Sequence, residues 1–182
     1  MPFNLPNSLT WLRILLIPLF VAVFYLPDDW LPKHAINLTA TLIFALAAIT
    51  DWLDGWLARR MNQMSAFGAF LDPVADKLMV AAALIVLVDL SRAGIAASLI
   101  IIGREIAISA LREWMAREGQ SQSVAVSFVG KLKTTAQMIA ILLLLYHDLL
   151  LGLDAQWLGR WLLDIAAFLT LWSMFHYLRM AW

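Results

Sequence analysis

The chain has 182 residues, 63% hydrophobic and 14% charged, with thirteen basic and thirteen acidic side chains and no cysteine. A mean hydropathy of +0.80 and nine tryptophans exclude an ordinary soluble domain, and a formal charge of zero leaves no basic face for nucleic acid. This is the composition of an integral membrane protein, in which a hydrocarbon core of about 30 Å calls for roughly 20 apolar residues per helix.

In chain order, the first element is a short amphipathic segment ahead of Leu12, with Phe3, Leu5 and Leu9 as its apolar side, lying on the membrane surface. No basic region precedes the first apolar run and no small-residue cleavage site follows it, so it reads as retained rather than as a signal peptide. Six apolar runs are then expected as transmembrane helices: Leu12–Leu26, Ala35–Leu57, Ala69–Leu90, Ala93–Met115, Val124–Tyr146 and Leu158–Leu178. Pro27 and Pro32 mark the first turn, Arg59 to Phe67 form a short connection, and Gly119 to Ser123 read as the loop between the fourth and fifth helices. No repeat or flexible linker interrupts residues 1–182, so a single all-α membrane domain is expected.

Orientation follows from the basic residues. Arg13, Arg59, Arg60, Arg112, Arg117 and Arg179 fall on one set of span ends and only Lys33, Arg92 and Arg160 on the other, which places both termini in the cytoplasm. Trp30, Trp114, Trp157, Trp161 and Trp182 lie near span ends, where an indole is favoured at the headgroup level. His34, His147 and His176 have no ligand-like spacing, and no chemistry is assigned to them.

The informative stretch is "DWLDGWLARRMNQMSAFGAFLDPVADK", Asp51 to Lys77. At 100° per residue, Asp51, Asp54, Gly55 and Ala58 fall at about 0°, 300°, 40° and 340°, so two carboxylates and two very small residues share one helical face. Gly68, Asp72 and Asp76 are spaced by four on the next helix and form a second such stripe. If the short connection folds the two helices antiparallel, four carboxylates converge. Like charges raise one another's pKa, and a charge at the bilayer centre costs about 2.5–3.5 kcal/mol on insertion scales, so a divalent cation is the expected remedy. Carboxylates without cysteine or a nearby histidine point to Mg²⁺, Mn²⁺ or Ca²⁺ rather than zinc or copper.

The pattern D-x-x-D-G-x-x-A-R, eight residues, then G-x-x-x-D-x-x-x-D is met here without departure by Asp51, Asp54, Gly55, Ala58, Arg59, Gly68, Asp72 and Asp76. It resembles the signature of the CDP-alcohol phosphotransferase family, whose members have six transmembrane helices. "NLPNSLTWLRILLIP", "REIAISALREWMAREG" and "VGKLKTTAQM" extend the resemblance over nearly the whole chain, toward the bacterial branch that makes phosphatidylglycerol precursors. The resemblance implies transfer of a phosphatidyl group from CDP-diacylglycerol to glycerol 3-phosphate with release of CMP, on the cytoplasmic side of a bacterial inner membrane. It assigns Asp51, Asp54, Asp72 and Asp76 to two ions, Mg²⁺ or Mn²⁺, with Asp76 as catalytic general base. Gly55, Ala58 and Gly68 would then line the donor site along with Asp51 and Asp72, and Arg59 would hold phosphate. The family is often dimeric, which implies a homodimer. A cardiolipin synthase, another branch of the family, a divalent cation transporter and a structural subunit are the alternatives.

A second polar set lies in helices four and five. Arg104 and Glu105, and Lys131 and Lys133, are costly in a bilayer unless they line a wet cavity. Glu105, Ser109 and Arg112 share one stripe, whereas Lys131 and Lys133 are about 200° apart, so either only one lysine faces inward or the helix is irregular after Gly130. Arg104, Arg112, Lys131 and Lys133 are the candidates for the acceptor's phosphate, with an ion pair between helices plus snorkelling lysines as the alternative.

Overall fold

The computed structural model describes residues 5–27, 29–61, 66–117, 128–150 and 152–181. Among these are six helices: α1 (Leu5–Val23), α2 (Lys33–Met61), α3 (Ala66–Asp89), α4 (Ile95–Arg117), α5 (Phe128–Tyr146) and α6 (Ala155–Ala181). Each expected apolar run therefore has its helix. The amphipathic segment expected to lie apart is instead continuous with the first run, since α1 is unbroken from Leu5. Phe3, Trp182 and the expected loop at Gly119 to Ser123 lie outside the described residues.

Two 21-residue stretches, Lys33–Leu53 and Ala155–Phe175, are long and apolar enough to cross a membrane, and Ser8–Val23 and Leu132–Tyr146 are shorter apolar stretches. The reason α3 and α4 fall short is visible in their sequences: Asp72, Asp76 and Lys77 occupy the early turns of α3, and Arg104 and Glu105 the middle of α4. The charged residues singled out in the sequence are the ones that interrupt the apolar runs.

The helices gather into two compact units. The first comprises Met1–Val86 with Leu145–Asp148, and the second Leu87–Leu144 with Leu149–Trp182. In the first, α1 packs along α2, with Phe20 against Phe44 at 6.3 Å between ring centroids and fully buried Ala40 and Ala47 allowing close approach. Polarity on α1 is inverted relative to a soluble helix: Thr10 and Arg13 are 1% exposed while Leu15 is 66% exposed. In this unit His34 Nδ1 and Asp148 Oδ2 lie 2.5 Å apart, and the His34 ring meets Tyr146 edge-on.

In the second unit α4 packs on α6. Exposed Ile95, Leu99 and Ile106 line the outside of α4, as Trp157, Trp161, Phe168 and Trp172 do on α6. An apolar exterior of this extent is unfavourable in water and natural against lipid. The α3–α4 turn uses Ser91 in the left-handed region, φ 58°. Arg160 of α6 ties that turn down, donating from Nε to Arg92 O (3.1 Å) and from a terminal nitrogen to Ser91 O (2.7 Å). A two-residue antiparallel ribbon, β1 (Leu149–Leu150) and β2 (Leu153–Asp154), precedes α6 and turns through Gly152 at φ +85°. Asp154 then caps α6 by accepting from Gln156 N (2.9 Å) and Trp157 N (3.1 Å).

At Gly159, α6 comes close to α5. A Cβ there would lie 2.8 Å from Leu144 Cγ and 3.2 Å from the carbonyl oxygen of Ala140. Gly103 of α4 has nothing within 4 Å of its own Cβ position. Gly159→Ala is therefore expected to cost about 1–3 kcal/mol by overpacking, while Gly103→Ala is neutral or gains about 0.5–1 kcal/mol from helix propensity. Thermal unfolding of the two variants in detergent micelles checks the contrast.

Candidate functional site

Among the described residues, each unit carries a cluster of ionisable side chains inside its helices. In the first unit it is organised by a single turn of α1. Arg13 projects to α2, where a terminal guanidinium nitrogen stands 2.8 Å from Asp51 Oδ1. Three residues earlier, Thr10 donates its hydroxyl to Asp72 Oδ1 on α3 at 2.5 Å. One turn of helix, about 5.4 Å of rise, thus ties together the two helices whose stripes carry the aspartates. Gly68 is buried, and Asp51, Asp72 and Asp76 are each partly exposed, as a site that admits a polar ligand requires.

Asp51 and Asp72 each bond to α1, through Arg13 and Thr10 respectively, whereas the convergence of all four aspartates expected from the sequence involves side chains outside the described residues. The side chains of Asp54, Gly55, Ala58 and Arg59 lie outside the described residues. Among the described residues no three carboxylate or imidazole groups lie close enough to hold a metal ion. What is described is a set of hard oxygen donors around a fixed cation and a hydroxyl. Neighbouring Arg60 stacks over Trp56 at 4.8 Å from the ring centroid, which keeps its charge at the exposed end of α2.

Arg13 corrects one reading. It is expected as a loop cation that orients the chain, but it is buried within α1 and paired. Sequence reasoning missed it, and Thr10, as parts of the site. The available signal was an arginine inside the apolar run "LTWLRILLIP", which by the cost of intramembrane charge is itself a marker of a functional interior.

In the second unit Glu105 is the centre. Its Oε1 accepts from Lys133 Nζ at 2.7 Å and from Arg104 at 3.1 Å. Lys133 is 1% exposed, so Lys133 faces inward. The side chains of Lys131 and Arg112 lie outside the described residues. Ser109, on the Glu105 stripe, turns back to donate to the Glu105 carbonyl at 2.6 Å. Arg104 and Lys133 are thus not an uncompensated pair of cations: one carboxylate serves both and leaves the trio with one net positive charge. The interhelical ion pair weighed as the alternative is present between α4 and α5.

Residues 3–172 match the family model described as CDP-alcohol phosphatidyltransferase. Proteins from Escherichia coli (strain K12), Salmonella typhimurium and Shigella flexneri serotype 5b are each 51% identical to the chain, over all of it and 96% of their own length. All three bear the name CDP-diacylglycerol--glycerol-3-phosphate 3-phosphatidyltransferase.

The Arg13–Asp51 pair is asymmetric, 1% exposed on the arginine and 43% on the aspartate, and its two halves are not equally replaceable. Asp51→Asn removes the carboxylate charge that faces a buried guanidinium and is expected to be the more destabilising change. Arg13→Met leaves a carboxylate that water can still reach, and costs clearly less. The order of the two melting temperatures in the same detergent is the check.

Proposed function

Because the chain belongs to the CDP-alcohol phosphatidyltransferase family, we propose that it transfers the phosphatidyl group of CDP-diacylglycerol to glycerol 3-phosphate, giving phosphatidylglycerol phosphate and CMP. The observation that carries this reading is the 51% identity, spanning the whole chain, to relatives bearing the name of that activity. An apolar exterior with a few buried polar and charged side chains, in each unit, supports a donor that arrives from the membrane and an acceptor that arrives from water. Six helices cross a bacterial inner membrane, with both termini and the aspartates on the cytoplasmic side, and the chain works as a homodimer.

In the first unit, Asp51, Asp54, Asp72 and Asp76 hold two divalent ions, Mg²⁺ or Mn²⁺. The fit rests on the chemistry of the donor set: carboxylates only, with no cysteine in the chain. When bound, such ions neutralise the pyrophosphate and stabilise the entering and leaving oxygens of an in-line displacement. Arg13 and Thr10 orient Asp51 and Asp72 from behind, as outer partners of ligating carboxylates commonly do. Gly55, Ala58 and Gly68 leave room for the nucleotide, and Arg59 holds phosphate as a two-pronged donor.

Asp76 takes the proton from the acceptor hydroxyl. The freed oxygen forms its bond to the phosphatidyl phosphorus as the bond from that phosphorus to the CMP oxygen breaks, and CMP departs with the electron pair. In the second unit, Arg104, Arg112, Lys131 and Lys133 supply the cations for the acceptor's phosphate. Glu105 fixes the positions of Arg104 and Lys133, so the phosphate meets cations that are already aligned.

Three outcomes test the reading. Purified protein given CDP-diacylglycerol is expected to release CMP with glycerol 3-phosphate and not with serine, inositol phosphate or phosphatidylglycerol. That release is expected to stop on addition of EDTA and return with Mg²⁺ or Mn²⁺, and activity that survives the chelator contradicts the metal assignment. Asp76→Asn is expected to keep CDP-diacylglycerol binding while turnover falls by about 10²–10⁴-fold, the usual contribution of a general base, as measured by CMP release beside a donor-binding titration.

A further inference from the structure

Among the described residues of the second unit, four uncharged polar side chains are buried: Ser98, Gln137, Thr170 and Ser173. Thr170 and Ser173 satisfy themselves along their own helix, donating to Ala166 O at 2.6 Å and to Thr170 O at 2.9 Å. Gln137 does not. It is 4% exposed, its Oε1 has no hydrogen-bond partner, and neither has the hydroxyl of Ser98 nor Nε of Arg104. A buried amide in this condition calls for an explanation, because more than nine in ten buried polar groups are paired and lipid offers none of the compensation that water would.

Position supplies the explanation. On α5 the buried stripe runs Lys133, Gln137, Ala140, Ile141, Leu144, so Gln137 stands one turn from Lys133 on the same face. On α4, Ser98 lies two turns from Glu105, displaced by only about 20°. The Lys133–Glu105 bond at 2.7 Å joins these two faces. The unpartnered oxygens therefore lie on the stripes that carry the Glu105–Lys133–Arg104 cluster. A carboxamide is a poor match for a phosphate, which wants cations, and a good match for a hydroxyl, to which it can both donate and accept.

We infer that Gln137 recognises a hydroxyl of the polyol phosphate acceptor, specifically the hydroxyl that does not attack. This rests on the acceptor reading above and adds a selectivity to it: the cations bind phosphate, whereas Gln137 separates a glycerol phosphate from a phosphate ester without the second hydroxyl. The attacking hydroxyl needs a base, so it is the C2 hydroxyl of glycerol 3-phosphate that the amide takes.

The test compares two acceptors, glycerol 3-phosphate and 3-hydroxypropyl phosphate, which keeps the nucleophilic hydroxyl and lacks the one on C2. Wild-type protein is expected to favour glycerol 3-phosphate in kcat/KM by tenfold to about a hundredfold, the range for a hydroxyl whose buried partner would be left unpaired. Gln137→Met and Gln137→Leu are expected to abolish that preference by losing activity on glycerol 3-phosphate alone. KM for CDP-diacylglycerol should stay unchanged and the melting temperature should not fall, since an amide oxygen without a partner contributes no structural hydrogen bond to lose. A preference that persists in the variants, an equal loss on both acceptors, or a fall in melting temperature overturns the assignment. If wild type uses both acceptors equally, hydroxyl recognition fails while phosphate binding stands; if it uses neither, the acceptor reading itself fails.

Discussion

A carboxylate that faces hydrocarbon must find a counter-charge or a strong donor, and most of what is specific in this protein follows from how its carboxylates do so. Asp51 takes Arg13, Asp72 takes the hydroxyl of Thr10, and Glu105 takes Lys133 and Arg104. In each case at least one partner comes from another helix. The pairings therefore set which helix faces meet, and apolar packing then fills in around them: Phe20 on Phe44 below the Arg13 turn, and Leu144 against the bare backbone of Gly159 on the stripe that begins at Lys133. Charge inside and leucine outside is what a bilayer as solvent demands.

In the reading proposed above, the two clusters divide the work of a group transfer. The first is net acidic, partly open and suited to cations; the second is net basic and suited to a phosphate. Neither is a bare accumulation of like charge. Arg13 compensates Asp51 when no cation is bound, and Glu105 compensates Lys133 when no phosphate is bound. A substrate or ion entering either cluster therefore shifts an existing balance and does not have to assemble one, which is the sense in which such sites are preorganised.

The helices were legible because six apolar runs separated by proline, glycine and charge admit few other interpretations. The aspartate stripes were legible because a spacing of three or four on a helix is a statement about direction. Arg13 was misread for the opposite reason. Near the end of a run an arginine reads as a loop charge, and only the pairing with a residue 38 positions later makes it interior. That Lys133 faces inward likewise required knowing where Glu105 points, a fact about two helices rather than one. Between the fifth and sixth apolar runs, Leu149–Leu150 and Leu153–Asp154 form a ribbon that turns through Gly152, a local geometry that the apolar pattern does not display. Gln137 lay unremarked because a lone glutamine in a helix carries no signal until its surroundings are seen to offer it no partner.

The central claim is that the aspartates of α2 and α3 form a site for divalent cations, held by α1. Direct titration with Mn²⁺, followed by electron paramagnetic resonance of the free ion in the absence of any substrate, measures it without reference to turnover. The account predicts that the protein removes up to about two ions per chain from the free pool, and that Asp72→Asn, which retains an oxygen for Thr10 to bond, loses most of that capacity while remaining folded. A wild-type titration indistinguishable from that of empty micelles would contradict it.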